Sequence, residues 1–143
     1  MQGKPETMQH NPQYSDVVAE VISFLEQRVA AAVSTGIERE RIIIDPGFGF
    51  GKTFEHNLML LRGLDRLVSM NFPVLAGLSR KSMLGTITGN AVNDRVHASV
   101  AAALLAVGQG ARIVRVHDVK ATRDAFSVFA AVNRITPGFL LHL

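Results

Sequence analysis

From residue 17 onward the apolar positions change period along the chain. Val17, Val18, Val21, Ile22, Leu25, Val29 and Val33 fall on one helical stripe, and Gly36 stands where a C-terminal cap is expected. Ile42-Ile43-Ile44 is short, continuous and β-branched, the form of a buried parallel strand. A second helix is predicted from about Phe54 to Met70, with Leu58, Leu61, Leu64 and Val68 inward. Pro73 opens a second strand, Val74-Leu75-Ala76-Gly77. A polar turn with Gly89, Asn90, Asn93 and Asp94 leads into a third, alanine-rich helix, about Arg95 to Gln109, with Val96, Val100, Leu104 and Val107 inward. The third strand is Arg112 to Val116. A last helix, about Ala121 to Asn133, carries Ala125, Val128, Phe129 and Val132 on one face. Met1 to Pro12 is polar and broken by Pro5 and Pro12, so it reads as a loop. The apolar tail Ile135 to Leu143 has no assigned element.

One helix followed by three strand–loop–helix repeats predicts an α/β fold with a parallel sheet. Three strands leave both sheet edges open. The chain is therefore read as a piece of a larger α/β protein, or else as a small three-stranded domain that dimerises to cover its edges. Composition narrows the function. The 143 residues are 48% hydrophobic, enough for a core, and the net charge is +3. No Lys/Arg run of nucleic-acid type occurs, so small anions are expected rather than nucleic acid. The absence of cysteine excludes a disulfide framework and thiolate chemistry. No apolar run is long enough for a membrane span, and a cytoplasmic location is expected.

In parallel α/β folds, ligands sit beyond the carboxyl ends of the strands. Those ends carry Asp45, Phe50 and Lys52, then Ser79-Arg80-Lys81, then Arg115 and His117. The opposite ends, at Arg41, Phe72-Pro73 and Arg112, look like ordinary solvated starts. In Asp45-Pro46-Gly47-Phe48-Gly49-Phe50-Gly51-Lys52-Thr53, glycines permit tight bends and close approach, and phenylalanines offer flat apolar surface. Asp45 reads either as a turn acid or as an acceptor for an amidine-like N–H edge. The loop is one residue short of a phosphate-loop spacing, and it also fails the dinucleotide fingerprint. Ser79 to Ser82 reads either as a solvated helix start or as cations awaiting an anion, since cations are disfavoured at a helix N-terminus. Arg115 and His117, two apart on a strand, point to one side. Arg115 needs a partner, which is either Asp118 or a bound phosphate or diphosphate. His10, His56, His97 and His142 read as surface histidines.

Three ordered segments, Asp45 to Lys52, Ser79-Arg80-Lys81-Ser82 and Arg115-Val116-His117-Asp118-Val119, resemble the signatures of bacterial dihydropteroate synthase, a pterin-binding family. Met1-Gln2-Gly3-Lys4-Pro5 with Thr7-Met8-Gln9 is similar to the loop after that enzyme's fifth strand. The resemblance runs from Met1 to about Asn133. It implies a TIM (β/α)8 barrel of which this chain, residues 1–143, is one partial domain. Strands six to eight would be present with four main helices, and strands one to five would lie outside it. The tail Ile135 to Leu143 departs from the polar end of the family.

The implied reaction joins 6-hydroxymethyl-7,8-dihydropterin diphosphate to 4-aminobenzoate, giving 7,8-dihydropteroate and diphosphate. By motif, Asp45 would grip the pterin's amino-pyrimidine edge and Lys81 its polar atoms, with Lys52 beside them. Gly77 would allow close approach. Phe50, Ser79 and Arg80 would face 4-aminobenzoate, the part that sulfonamides mimic, and Arg115 and His117 would hold the diphosphate. Lys81, Arg115 and His117 are the candidate catalytic residues. Mg2+ is the implied cofactor, with its asparagine ligand outside this chain and no metal ligand within it. A homodimer through C-terminal barrel helices is the implied assembly. The 143-residue chain alone is expected to be inactive or nearly so. Two other readings stand beside this one: a non-catalytic remnant that binds pterin or anions or only dimerises, and a pterin-binding methyltransferase barrel.

Overall fold

The computed structural model describes residues 12–133. The predicted opening loop, apart from Pro12, and the apolar tail lie outside the described residues. Six α-helices and two short strands follow in order: α1 (Val17–Ser34), α2 (Phe54–Arg62), α3 (Leu64–Val68), β1 (Leu75–Ala76), α4 (Ser82–Thr88), α5 (Val96–Gly108), β2 (Ile113–Val114) and α6 (Val119–Asn133). Asp16 starts α1 by accepting the amide hydrogens of Val18 and Ala19, both at 3.0 Å, as an N-cap acid should. Gly36, at φ 94°, ends it.

The sheet is parallel, as the repeat order requires. Leu75 pairs with Ile113 and Ala76 with Val114. The predicted strand Ile42–Ile44 is reduced to a single parallel bridge between Ile44 and Val74. Only Ile44 of that run is buried; Ile43 is 53% exposed, and Ile42 is partly buried against the core. The order across the sheet is therefore Ile44, then β1, then β2, with β1 in the centre.

Other differences have local causes. The helix predicted from Phe54 to Met70 breaks at Gly63, where a Cβ would press within 3.1 Å of Val18 Cγ2. The inward stripe is accordingly Asn57, Leu60, Leu61, Leu64 and Leu67 rather than Leu58, Leu61, Leu64 and Val68. A helix, α4, occupies Ser82–Thr88, where no full helix was predicted. In α5 the buried residues are Ser99, Ala102, Ala103 and Ala106, not the valines, because small side chains let α5 approach its neighbours closely. In α6 the buried line is Thr122, Phe126 and Ala130, and Val128 and Val132 are 65% and 75% exposed. Phe72, expected at a solvated strand start, is buried beneath the Arg39 guanidinium, 4.0 Å from the ring centroid.

One core joins α1, α2, α3 and the sheet through Val17, Val21, Ile44, Leu60, Leu64, Leu67 and Val74. No helix among the described residues is long and apolar enough to cross a membrane. Leu64 is wholly buried directly after the Gly63 break, so its removal leaves a cavity that α3 is too short to close. Leu64→Ala is expected to lower the unfolding free energy by about 2–5 kcal/mol. Urea denaturation followed by far-UV circular dichroism checks this, and an unchanged midpoint would contradict the assigned core.

Candidate active site

The parallel register brings three segment ends side by side: Asp45 after Ile44, Gly77 after β1 and Arg115 after β2. The glycine loop that follows Asp45 is braced from several sides. Gly47, Gly49 and Gly51 all have φ between 58° and 77°, the left-handed region that glycine enters without steric cost. Gly49 donates its amide hydrogen to Asn57 Oδ1 at 2.7 Å, and Asn57 Nδ2 donates to the Thr53 carbonyl at 2.7 Å. The Tyr14 hydroxyl donates to the Gly51 carbonyl at 3.0 Å. Thr53 and His56 form a reciprocal cap at the start of α2, and the His56 ring meets Tyr14 edge-on at 4.9 Å. His56 is thus a structural residue of the loop, not a surface histidine. Asn57 and Tyr14 were not singled out in the sequence, although an asparagine on an apolar helical stripe is itself a signal, because a buried amide requires partners.

The two phenylalanines of the loop part company. Phe48 is 1% exposed and belongs to the core, whereas Phe50 is 40% exposed. Only Phe50 offers a face to a ligand, and it lines two neighbouring cavities. The first, ≈ 440 Å³, also holds Asp45, Gly47, Lys52 and Tyr14. The second, ≈ 260 Å³, also holds Gly77, Ser79, Lys81, Arg115 and His117. Phe50 is therefore a shared wall.

Asp45 is exposed at the head of the loop. Its Oδ1 accepts the Gly47 amide hydrogen at 2.8 Å, the brace of a turn acid. Among the described residues, no hydrogen bond reaches Oδ2. Lys52 turns inward: it is 6% exposed, and its Nζ donates to the carbonyls of Gly47 and Phe50 at 3.0 and 3.1 Å. Burial pushes its pKa down to about 8, against the opposing pull of Asp45. Lys81 lies 4.2 Å from the Phe50 ring centroid, a cation–π contact. Its pKa is also lowered, first by burial and then by Arg115.

Arg80 and Asp118 correct one expectation. Asp118 is not the partner of Arg115. It pairs with Arg80, at 2.8 Å from Nη2 and 3.2 Å from Nε, and that contact holds the Asp118 carboxyl below its ordinary range. Arg80 is absent from the lining of either cavity. Ser79, 6% exposed, accepts the His117 amide hydrogen at 3.2 Å, and its hydroxyl lies 2.9 Å from His117 Nδ1. Gly77 gives close approach to a side chain of the protein, since a Cβ there would stand 3.0 Å from Arg115 Nη2. Arg115, Val116 and His117 all line the second cavity, just past the end of β2. Among the described residues, no group of three His, Asp or Glu side chains could hold a metal ion.

Fold and site together define a parallel α/β protein whose strand ends carry one acid, one exposed ring and several cations side by side. The family model described as "Pterin binding enzyme" matches residues 1–117, and the chain belongs to that family. The dihydropteroate synthase of Neisseria meningitidis serogroup B is 55% identical over 137 residues, covering 93% of this chain and 48% of the relative. The Yersinia pestis dihydropteroate synthase, solved with a sulfonamide drug complex, superimposes with a TM-score of 0.91 at 42% identity, over 95% of this chain and 50% of that one. The Thermus thermophilus enzyme, solved in complex with 6HMPPP and with 4-aminobenzoate, gives 0.87 at 50% identity, over 91% of this chain and 51% and 53% of those chains. The chain spans about half the length of the curated relatives it matches.

The buried Lys52 ammonium makes stability depend on pH. Its folded pKa, about 8, lies below the ordinary 10.5. Between those values the unfolded chain binds the proton that the folded chain has released, so folding stability rises with pH. Relative to Lys52→Met, the parent chain is expected to gain on the order of 1–3 kcal/mol between about pH 8 and 10.5. Urea midpoints of both proteins across that window measure it, and a flat or falling difference would refute the assignment.

Proposed function

We propose that the chain carries one part of the active site of a dihydropteroate synthase. The observation that carries this reading is the ring of Phe50 standing between the Asp45 cavity and the cationic cavity of Lys81, Arg115 and His117. The exposed Oδ2 of Asp45 would accept the amino-pyrimidine edge of the pterin, and Lys81 would donate to its polar atoms. Phe50 would pack the ring of 4-aminobenzoate, or of a sulfonamide, beside Ser79. Arg80, neutralised by Asp118, would border this ring rather than bind as a free cation. Arg115 and His117 would hold the diphosphate. Lys52 would support the loop from below and supply positive potential.

In the proposed reaction, the amine nitrogen of 4-aminobenzoate forms a bond to the pterin's methylene carbon as the carbon–oxygen bond to diphosphate breaks. The amine loses a proton, and diphosphate leaves with the bonding electrons. The residues named here act by positioning the two rings and stabilising the departing charge. Mg2+ is proposed as the cofactor, and it would supply positive charge beside the diphosphate that Arg115 and His117 hold.

In this reading, residues 1–143 form one partial barrel domain and contribute strands six to eight of a TIM barrel, supported by the parallel order and the site at the carboxyl ends. Dimerisation through the C-terminal helices is part of the proposal, supported by the exposed Leu105, Val128 and Val132 on α5 and α6. A cytoplasmic location is also proposed, in keeping with a chain that has no cysteine. The methyltransferase reading offers no use for the Ser79–Lys81 turn beside Phe50.

Isothermal titration of the 143-residue chain with 6-hydroxymethyl-7,8-dihydropterin diphosphate tests the proposal. Binding is expected, weakened by Asp45→Asn by about 1.5–3 kcal/mol, the worth of a charge-assisted hydrogen bond. Equal affinity in both proteins would remove Asp45 from the site. Turnover by the chain alone is expected to be absent or weak, because it matches about half of each synthase. Robust formation of dihydropteroate would refute that part.

A further inference from the structure

The Ser79–Lys81 turn adopts a shape that its own residues do not favour. Arg80 has φ 58°, in the left-handed region where a bulky side chain is rare. Such a conformation persists where the surroundings over-determine it. Here the surroundings are two residues at the start of α5. Arg95 Nη1 donates to the Arg80 carbonyl at 3.0 Å and to the Lys81 carbonyl at 3.4 Å, and its Nε donates to the Asn90 carbonyl at 3.0 Å. Ser99, 3% exposed, accepts the Arg80 amide hydrogen at 2.9 Å and donates to the Arg95 carbonyl at 2.6 Å. The peptide groups on both sides of Arg80 are thus held by α5.

A glycine explains how the guanidinium reaches them. Gly85 lies inside α4, where glycine is less favourable than alanine. A Cβ built on Gly85 would overlap the Arg95 guanidinium. The missing side chain is the space through which Arg95 passes. Neither Arg95 nor Gly85 lines the two cavities. The turn they hold nevertheless carries Ser79, which orders His117, and Lys81, which covers Phe50.

We infer that Arg95, seated on Gly85, is a positioning residue that sets the Ser79–Lys81 turn and, through it, the cationic side of the ligand site. The effect on binding rests on the pterin diphosphate reading above, but the effect on the turn does not. The test uses the 15N-labelled 143-residue chain with Arg95→Ala, Gly85→Ala, the double variant, Arg95→Lys and Ser99→Ala. In Arg95→Ala and Gly85→Ala, the amide resonances of Arg80 and Lys81 are expected to move, and those of α1 and α2 to stay in place. Affinity for 6-hydroxymethyl-7,8-dihydropterin diphosphate is expected to fall roughly tenfold in each. The double variant should be no worse than either single one, because both remove one contact. Arg95→Lys, which keeps a donor, should recover part of the loss.

Ser99→Ala gives a second route should Arg95→Ala fail to fold, since it frees the Arg80 amide while the Arg95 carbonyl keeps the Ser99 amide hydrogen, and it should shift the Arg80 resonance. Unmoved Arg80 and Lys81 amides in these variants, or additive losses in the double, would overturn the inference. Should the parent chain bind no pterin diphosphate, the functional reading fails, and the amide shifts alone decide the role of Arg95.

Discussion

The parallel register of Ile44, β1 and β2 is the constraint on which the rest depends. Main-chain hydrogen bonds set it, among them Leu75 to the Ile44 carbonyl at 2.8 Å, Ile44 to the Pro73 carbonyl at 3.0 Å, Ile113 to the Val74 carbonyl at 3.2 Å, and Arg115 to the Ala76 carbonyl at 3.1 Å. These bonds fix which residues lie at the sheet's carboxyl edge. A slip of one residue would turn Arg115 and His117 to the other face. It would also separate Arg115 from Gly77, whose missing side chain makes room for the guanidinium.

Above that edge the site is strongly cationic, and each cation is managed differently. Arg80 is neutralised by Asp118. Lys52 is buried against loop carbonyls, with its pKa pushed to about 8. Lys81 lies over an aromatic ring, with Arg115 lowering its affinity for a proton. Arg115 and His117 remain exposed beside it. Asp45 is the acid felt by both lysines. Placing an anion near Lys81 and Arg115 would relieve their mutual repulsion, which is the electrostatic case for a diphosphate on this side of Phe50.

The loop and the turn show two ways of holding an unusual backbone. The glycine loop uses residues that need no enforcement, and the Asn57 amide and the Tyr14 hydroxyl then choose one conformation among those glycine allows. The Ser79–Lys81 turn places an arginine in the left-handed region and relies on its neighbours to keep it there. The first arrangement ties the site to α2 and to Tyr14, and the second ties it to the packing of α4 against α5.

Periodicity and motif order alone determined the alternating α/β plan, the parallel sheet and which polar residues follow the strand ends, because each is a local or repeating property of the chain. They also put Arg115 and His117 together, but the two share a cavity with Val116 beyond the end of β2, where the period of a strand no longer applies. Tertiary packing decided the rest. Which face of α5 and α6 is buried could not be read from apolarity, because alanine and threonine faces pack closer than valine faces. Which phenylalanine stays in the open depended on the core beneath the loop. Asp118 met Arg80 rather than Arg115 because their separation across 38 residues is a matter of how two turns meet. The role of Gly85 was invisible for the same reason: the side chain it makes room for lies ten residues away and reaches it only after α5 has packed.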